Sequence, residues 1–415
     1  MFPFQQVIPM ILATLAGALA DPLFWVVVML VALQYRRMAA VRRVFFGEAA
    51  LGGVWRETAL ASAYGLGGGF LGSLVIVLVG LTLSGSGLIY LWPVAILLML
   101  INARFLCFAY AGGVLALANL FFGFPEVNIA QVLALVAVLH MVESLLILAG
   151  GHLGAVPAYF RAPGGRVVGG FTLQRFWPIP IAALAVVGPV AVQHGVAMPE
   201  WWPLFKPDVP GNPAELTYAL VPVVAGLGYG DLAVSRRPAA KSRLSALYLG
   251  TYSLLLLLLA YWSQHHRALA FLAALFSPLG HELVIYAGKR GEFRRSPLYV
   301  PPERGVGVLD VIPEAPAYRA GLRPGDVLLA VNQQPVNSRR ELEEALAWAW
   351  GPVEVEFLHG SGRAYRREVV SWRHKGQPFG LLPVPEGYEE EVMDVSTAGP
   401  LWRWWSGFWR RLKGS

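Results

Sequence analysis

Residues 305–335 of the chain read GVGVLDVIPEAPAYRAGLRPGDVLLAVNQQP, and this stretch decides the fold of the C-terminal part. It looks soluble in a chain that is otherwise strongly apolar. Spaced valines over 306–312 are typical of a short β-strand, and Pro313 ends it. Pro316 then fits the first position of a one-turn helix, and Gly321 is suited to the left-handed cap that follows.

The second half of the stretch predicts a turn and another strand. In Arg323-Pro324-Gly325-Asp326 the proline presets the second turn position and the glycine supplies the positive φ of the third. Residues 326–331 are apolar enough to form a strand within a core. This order of strand, G-L-x-P-G-D turn, strand and N-x-x-P resembles the core of a PDZ domain. The resemblance implies a small α+β peptide-binding domain over residues 299–385.

The sequence after this core completes such a domain. Residues 338–341 form a capping box, which predicts a helix that runs to about Trp350. Apolar residues at helical spacing give this helix one hydrophobic face: Leu342, Ala345, Leu346 and Ala349. Residues 353–359 and 363–372 predict a hairpin across a glycine-containing turn.

The strand that captures a peptide carboxylate in PDZ domains has no match upstream of Gly305. Downstream, the sequence Phe379, Gly380, Leu381 and Leu382 fits it, which resembles the circularly permuted order of bacterial PDZ domains. An ordinary tail strand is the alternative. In the permuted order a ligand would add as a strand beside 379–384 and contact the helix through Leu342, Ala345 and Leu346.

Composition predicts a polytopic α-helical membrane domain before residue 295. The 415 residues are 56% hydrophobic and 14% charged, and their mean hydropathy is +0.53. The chain is therefore far more apolar and less charged than an ordinary globular protein. The single cysteine, Cys107, excludes an internal disulfide and a CxxC site. The net charge of +7 does not indicate nucleic acid, because basic residues concentrate at the ends of apolar runs.

Apolar runs predict about nine or ten membrane helices over residues 1–295. The first run, 7–33, is either one long span broken at Asp21-Pro22 or a hairpin of two short helices. The other predicted spans are 60–83, 88–101, 105–122, 129–149, 177–192, 216–234, 244–262 and 269–287.

The charges between these runs orient the predicted spans. Every second connection is rich in arginine and lysine, including Arg36, Arg37, Arg104, Arg161, Arg175, Arg236 and Lys289. The positive-inside rule places these loops, the PDZ domain and the C-terminus in the cytoplasm of a bacterium, with the chain in its plasma membrane. The first segment leaves open whether the N-terminus lies inside or outside.

The C-terminal end predicts a linker and a membrane-surface helix. Residues 386–400 are the linker, and 401–413 contain LWRWWSGFWRRLK. Aromatic and basic side chains on one short helix favour an anionic lipid surface, and the residues concerned are Trp402, Trp405, Trp409, Arg410 and Arg411. A helix packed on the PDZ domain or on a partner is the alternative.

Catalytic, metal and cofactor sites are not predicted. His281-Glu282 lacks the second histidine four residues after the first that a zinc protease needs, since Ile285 occupies that position. The other histidines show no metal-ligand spacing, and the chain has no room for a serine-protease domain.

Ionisable residues inside predicted spans are costly to bury and are therefore candidate functional positions. They are His140, Glu143, Asp231, His281 and Glu282. A proton or substrate path is one interpretation. His140 and Glu143 are three residues apart in one predicted span, a spacing that allows a hydrogen bond between them. Polar pairing between helices, together with placement at the membrane interface, is the interpretation that we favour.

Three features together resemble the MinJ family of division-site topology proteins of Gram-positive rods. They are the sequence DPLFW at 21–25 before an apolar span and an arginine-rich loop, the sequence SPLGHE at 277–282 in the last span, and a PDZ domain directly after it. The resemblance implies a non-enzymatic adaptor that links the polar scaffold DivIVA to MinD. An intramembrane protease or its PDZ-bearing regulator is the second hypothesis, and a transporter is the third.

Overall fold

A computed structural model describes residues 1–46, 53–83, 87–162, 164–189, 195–209, 215–349, 351–360, 364–372, 378–389 and 392–393. Within these residues the N-terminal part combines helices with a three-stranded sheet, and the C-terminal part is a small domain rich in strands.

The N-terminal part contains eight α-helices among the described residues. They are α1 (Phe4–Ala20), α2 (Pro22–Phe46), α3 (Val54–Val79), α4 (Leu88–Ile101), α5 (Phe108–Phe122), α6 (Ile129–Gly150), α7 (Pro238–Ser263) and α8 (Arg267–Arg294). Five of them, α2, α3, α6, α7 and α8, are long and apolar enough to cross a membrane, and α1, α4 and α5 are shorter apolar helices. The break predicted at Asp21-Pro22 is present, and the Asp21 carboxylate accepts a hydrogen bond from the Leu23 N–H.

Two segments predicted as membrane helices are strands. The sheet has the order β1 (Val156–Arg161), β2 (Val167–Gly188) and β3 (Thr217–Ala233), and all its pairs are antiparallel. The prediction of helices at 177–192 and 216–234 is therefore wrong, and so is the count of nine or ten helices for the described residues. Pro178 and Pro180 disfavour a helix, and hydropathy alone does not distinguish a buried strand from a helix.

Backbone N–H groups on the outer edge of β2, opposite β3, have side-chain partners or are absent. Pro178 and Pro180 have no N–H to satisfy on this edge. The Phe176 N–H donates to the Tyr35 hydroxyl at 3.3 Å, and the Ala182 N–H donates to Ser73 Oγ at 2.8 Å. Strands are tolerated among membrane helices only where such groups are satisfied and buried in protein.

Glycines on two sides of α3 let its backbone approach its neighbours. A Cβ atom at Gly65 or Gly69 would lie 2.0 or 1.9 Å from the carbonyl oxygen of Pro178 or Pro180 in β2. On the other side, a Cβ at Gly72 would lie 2.9 Å from Val142 of α6. Small residues at this spacing are typical of close packing in membranes. Helix α3 thus fills the space between the sheet and α6.

The C-terminal part has the elements that the sequence predicts. They are β4 (Val306–Val311), α9 (Pro316–Arg319), β5 (Val327–Val331), β6 (Gln334–Pro335), α10 (Arg339–Ala347), β7 (Gly351–His359), β8 (Ala364–Trp372) and β9 (Leu381–Pro383). The sheet order is β8-β7-β5-β4-β9, with β6 paired to β5. A separate apolar core, which includes Leu322, Val336 and Phe357, fills this domain.

The C-terminal domain packs directly on the N-terminal sheet. Leu309, Leu382 and Val384 of the former share one buried cluster with Tyr159 and Phe171 of the latter. The connecting segment takes part, because the Gly169 N–H in β2 donates to the Tyr299 carbonyl at 3.0 Å. The two parts therefore contact each other through an apolar interface.

Candidate functional site

The predicted peptide-binding residues 379–382 lie at the end of the C-terminal sheet. Gly380 has φ +82°, and a Cβ there would lie 2.4 Å from that of Ala315, so the position requires glycine. The carbonyls of Phe379 and Gly380 accept hydrogen bonds from Ala317 and Ile312. Leu381 and Leu382 begin β9, which pairs with β4 on one side and is the last strand of the described sheet.

Helix α10 supplies the other predicted groove residues. Its N-terminus is capped, because the Glu341 N–H donates to Ser338 Oγ at 3.2 Å, and the Glu341 carboxylate accepts from the Asn337 N–H, one residue before the N-cap, at 2.8 Å. Leu342 and Ala345 are buried in the domain core. Leu346 is half-buried at the edge of that core, as is Leu381 of β9. Their role in peptide binding stays a prediction.

The three turn residues have the conformations that the motif requires. Gly321 and Gly325 have φ values of +88° and +93°. The buried Asp326 carboxylate accepts hydrogen bonds from the Arg323 and Gly360 N–H groups at 2.9 and 3.2 Å. Asp326 thus joins the turn to the end of β7. This is a structural role that stabilises the domain.

Two polar contacts connect β9, the predicted binding strand, and its neighbour β4 to the N-terminal part. The Tyr159 hydroxyl donates to the Pro383 carbonyl at 3.3 Å, and Arg42 Nη2 lies 3.9 Å from the Asp310 carboxylate. Burial raises the pKa of Asp310 to about 6, against the opposing effects of the Arg42 charge and a hydrogen bond from the Val311 N–H. These contacts fix the orientation of the C-terminal domain relative to the N-terminal part. They lie close to β9, the predicted binding strand.

The ionisable candidates Asp231 and Glu282 have partners. Asp231 Oδ2 lies 3.1 Å from the buried Lys241 ammonium and accepts a hydrogen bond from Ser245 Oγ at 2.6 Å. Glu282 accepts a hydrogen bond from the Tyr110 hydroxyl at 2.8 Å and lies 3.3 Å from Arg104. These contacts match polar pairing between elements, the interpretation that the sequence analysis favours.

The candidates His140 and His281 lie together on neighbouring helices, and Cys107 joins them. One ligand atom from each of the three residues lies within 4.8 Å of the others. His140 bonds to the Val136 carbonyl and to Cys107, and the predicted hydrogen bond with Glu143 does not form. Sequence spacing gave no signal for this cluster, because Cys107 and His281 are 174 positions apart.

Several predicted residues lie outside the described residues. The aromatic and basic tail, with Trp402, Trp405, Trp409, Arg410 and Arg411, is among them. The lipid contact of the tail stays a prediction.

A family model for the PDZ domain matches residues 307–353. Among curated proteins, the cell division topological determinant MinJ of Bacillus subtilis is 25% identical over 243 residues, 58% of this chain and 58% of that protein. A probable MinJ of Lacticaseibacillus paracasei is 29% identical over 119 residues, 28% of this chain and 32% of the relative. The chain therefore spans less than two thirds of these relatives.

A shorter match concerns the PDZ domain only. The mitochondrial serine protease HTRA2 of Bos taurus is 44% identical over 52 residues, which are 12% of this chain and 11% of that protein. The match carries no argument for a protease domain here.

Proposed function

We propose that this chain, a MinJ-type protein with a PDZ domain, is a non-enzymatic membrane scaffold that helps to place the division site. The curated MinJ relatives are named as division topology determinants. The observation that carries the proposal is a PDZ domain packed on an N-terminal part that contains five helices long enough to cross a membrane. Such an arrangement suits a protein that holds a partner at the membrane.

The binding step that we propose is strand addition. A peptide would pair with the edge of β9 that β4 leaves open, and its side chains would contact α10 near Leu346. Backbone hydrogen bonds would supply affinity and the side-chain pockets would supply specificity. Gly380 and its neighbours would receive the carboxylate of a C-terminal ligand.

The contact between the two parts supports a scaffold rather than a loosely tethered module. A PDZ domain on a flexible linker would present its groove in all directions. Here Tyr159 contacts the carbonyl of Pro383, and Leu382 and Val384 enter the apolar core of the N-terminal part. The bound peptide would therefore have a defined orientation relative to the membrane.

We propose a cytoplasmic location for the PDZ domain and, by family resemblance, DivIVA and MinD as partners. Arginine-rich connections support this orientation by the positive-inside rule. The tail would add contact with anionic lipid.

The test uses the full-length protein in nanodiscs with purified DivIVA and MinD from the same host. Leu346→Glu places a charge at the predicted groove and should weaken partner binding at least tenfold. Arg340→Glu is the matched control, because the Arg340 side chain is 87% exposed on the same helix. Equal binding by wild type and Leu346→Glu would exclude the groove as the scaffold site.

A cellular experiment tests the division role separately. A strain that carries Leu346→Glu should place septa near its poles, whereas the Arg340→Glu strain should divide at midcell. Septa at midcell in both strains, with the variant present at the wild-type level in the membrane, would contradict the proposal.

A further inference from the structure

Three side chains with metal-binding atoms meet inside the helical bundle. Cys107 precedes α5, His140 lies in the middle of α6, and His281 lies in α8. Cys107 Sγ is 3.1 Å from His140 Nε2 and 3.7 Å from His281 Nε2. His140 is 3% exposed, and the other two residues are half-buried.

The hydrogen bonds of the two rings fix which nitrogen atoms face the sulfur. His140 Nδ1 lies 2.7 Å from the Val136 carbonyl, so it carries the proton. The Tyr110 hydroxyl donates to Glu282 at 2.8 Å, so its oxygen accepts from His281 Nδ1 at 3.3 Å. A neutral imidazole has one N–H, and the Nε2 lone pairs of both rings therefore point to the sulfur.

A hydrogen bond network alone leaves this arrangement incomplete. The thiol has a single proton, which it can donate to one Nε2 atom at a time. The lone pair of the other Nε2 atom then faces only the lone pairs of the sulfur and has no proton to accept. A cation between the three atoms would instead be bound by all three.

We propose that Cys107, His140 and His281 bind one Zn²⁺ ion. Zinc bonds of about 2.3 Å to sulfur and about 2.0–2.1 Å to nitrogen, at tetrahedral angles, separate the two ligand atoms by about 3.6 Å. The distances of 3.1 and 3.7 Å from Cys107 Sγ lie on either side of this value. The fourth tetrahedral position is left for a water molecule.

The surroundings of the three ligands also suit zinc. Metal-bound histidines usually donate their other N–H to a carbonyl or to a carboxylate network, as both rings do here. A thiolate and two imidazoles form a ligand set that binds zinc in preference to magnesium or calcium.

Such a site would join three elements that are distant in the sequence. It would connect the start of α5 with α6 and α8. This role is independent of the PDZ groove, so that failure of either hypothesis leaves the other in place.

The first experiment measures metal in the full-length protein, purified in detergent without a histidine tag. Elemental analysis should find about one zinc per chain in wild type and in His152→Ala, a control histidine outside the cluster. Cys107→Ser, His140→Ala and His281→Ala should each weaken zinc binding at least tenfold. Retention of zinc by all three variants would overturn the proposal.

A second experiment does not depend on whether the variants fold. Wild-type protein stripped of metal is titrated with Co²⁺, which should give a thiolate-to-metal charge-transfer band and tetrahedral ligand-field bands. Cys107 is the single cysteine, so it is the only possible source of the thiolate band. Absence of this band at saturating Co²⁺, or absence of saturable Zn²⁺ binding to wild type, would overturn the proposal.

Discussion

Gly69 of α3 lies against the carbonyl oxygen of Pro180 in β2, where a Cβ atom on the glycine would be 1.9 Å from that oxygen. Real Cβ atoms do not approach an oxygen so closely, and the oxygen belongs to the backbone of a paired strand. The contact fixes how far the sheet lies from the helix that packs on it. A larger side chain must move one of the two elements.

Gly69→Ala should therefore destabilise the N-terminal part. Overpacking at a rigid contact costs about 1–3 kcal/mol, and the backbone position of the clash favours the upper end. The measurement is the midpoint of thermal unfolding in detergent. Gly67→Ala is the matched control, because its Cβ would have no atom within 4 Å. Equal midpoints for the two variants would contradict the described helix–sheet contact.

Ser73→Ala should remove the acceptor for the Ala182 N–H. Both groups are buried, so the N–H should be left without an acceptor in the variant. An unsatisfied buried N–H costs about 1–3 kcal/mol. Ser62→Ala serves as the control, because the Ser62 hydroxyl donates only to the Thr58 carbonyl in its own helix. Hydrogen exchange of peptides from β2 should accelerate in the first variant and stay unchanged in the second.

The sequence predicted the PDZ domain well because its information is local. The turn at 323–326, the capping box at 338–341 and the glycine at 380 each impose a backbone conformation on their own segment. Together they order every strand and helix of the domain. The strand at Leu381 also forms where its local pattern indicates, and its role as the permuted binding strand stays a prediction.

The sheet of the N-terminal part was not predicted, because hydropathy reports burial and not backbone conformation. The Pro-Ile-Pro sequence at 178–180 and the alternating glycines at 226, 228 and 230 were signals against helices. The positive-inside rule assigns Arg175 to a loop, whereas it lies in β2 and its side chain is fully buried.

The cluster of Cys107, His140 and His281 lay beyond sequence analysis for another reason. Metal motifs are recognised when ligands are close in the chain, and these three residues come from separate elements. Only the packing of α5, α6 and α8 brings them together. The sequence identifies the pair at 281–282 as ionisable residues within a span, but it does not indicate their partners.

Substitutions of Arg175 and Glu57 should have strongly coupled effects on stability, because the two side chains form an ion pair. Arg175 Nη1 lies 2.6 Å from the Glu57 carboxylate, and the guanidinium lies 5.2 Å from the Tyr35 ring centre. Glu57→Ala would leave a buried charge without its partner, which costs about 3–5 kcal/mol. The double variant Glu57→Ala/Arg175→Met should lose less than the sum of the single variants in thermal unfolding.

An exposed pair in the same chain is the control for that cycle. Arg340 and Glu344 are 2.8 Å apart, but both side chains are largely exposed. Their coupling should be much weaker, because water and salt screen an exposed helix pair. If the effects of the Arg175 and Glu57 substitutions on stability were additive, their contact would contribute no more to stability than a surface pair does.

The buried Asp310 should make the stability of the folded chain depend on pH. Its pKa of about 6 lies above the ordinary value of 3.8, and the titratable groups that face it are the charged Arg42 of α2 and the neutral Tyr299 hydroxyl. Between about pH 6 and pH 4 the folded state therefore binds a proton that the unfolded state does not bind. The ionised Asp310 therefore destabilises the fold at pH 7, and this destabilisation of about 2–3 kcal/mol is lost progressively as the pH falls through that window.

Asp310→Asn mimics the protonated side chain and should remove this dependence. The variant should be more stable than wild type at pH 7 and about equal to it at pH 4, in denaturant unfolding of the full chain followed by circular dichroism. Asp208→Asn changes an exposed carboxylate and should follow wild type at both pH values. A constant difference between Asp310→Asn and wild type from pH 7 to pH 4 would mean that Asp310 is not buried against Arg42, and the described contact between the PDZ domain and α2 would then be incorrect.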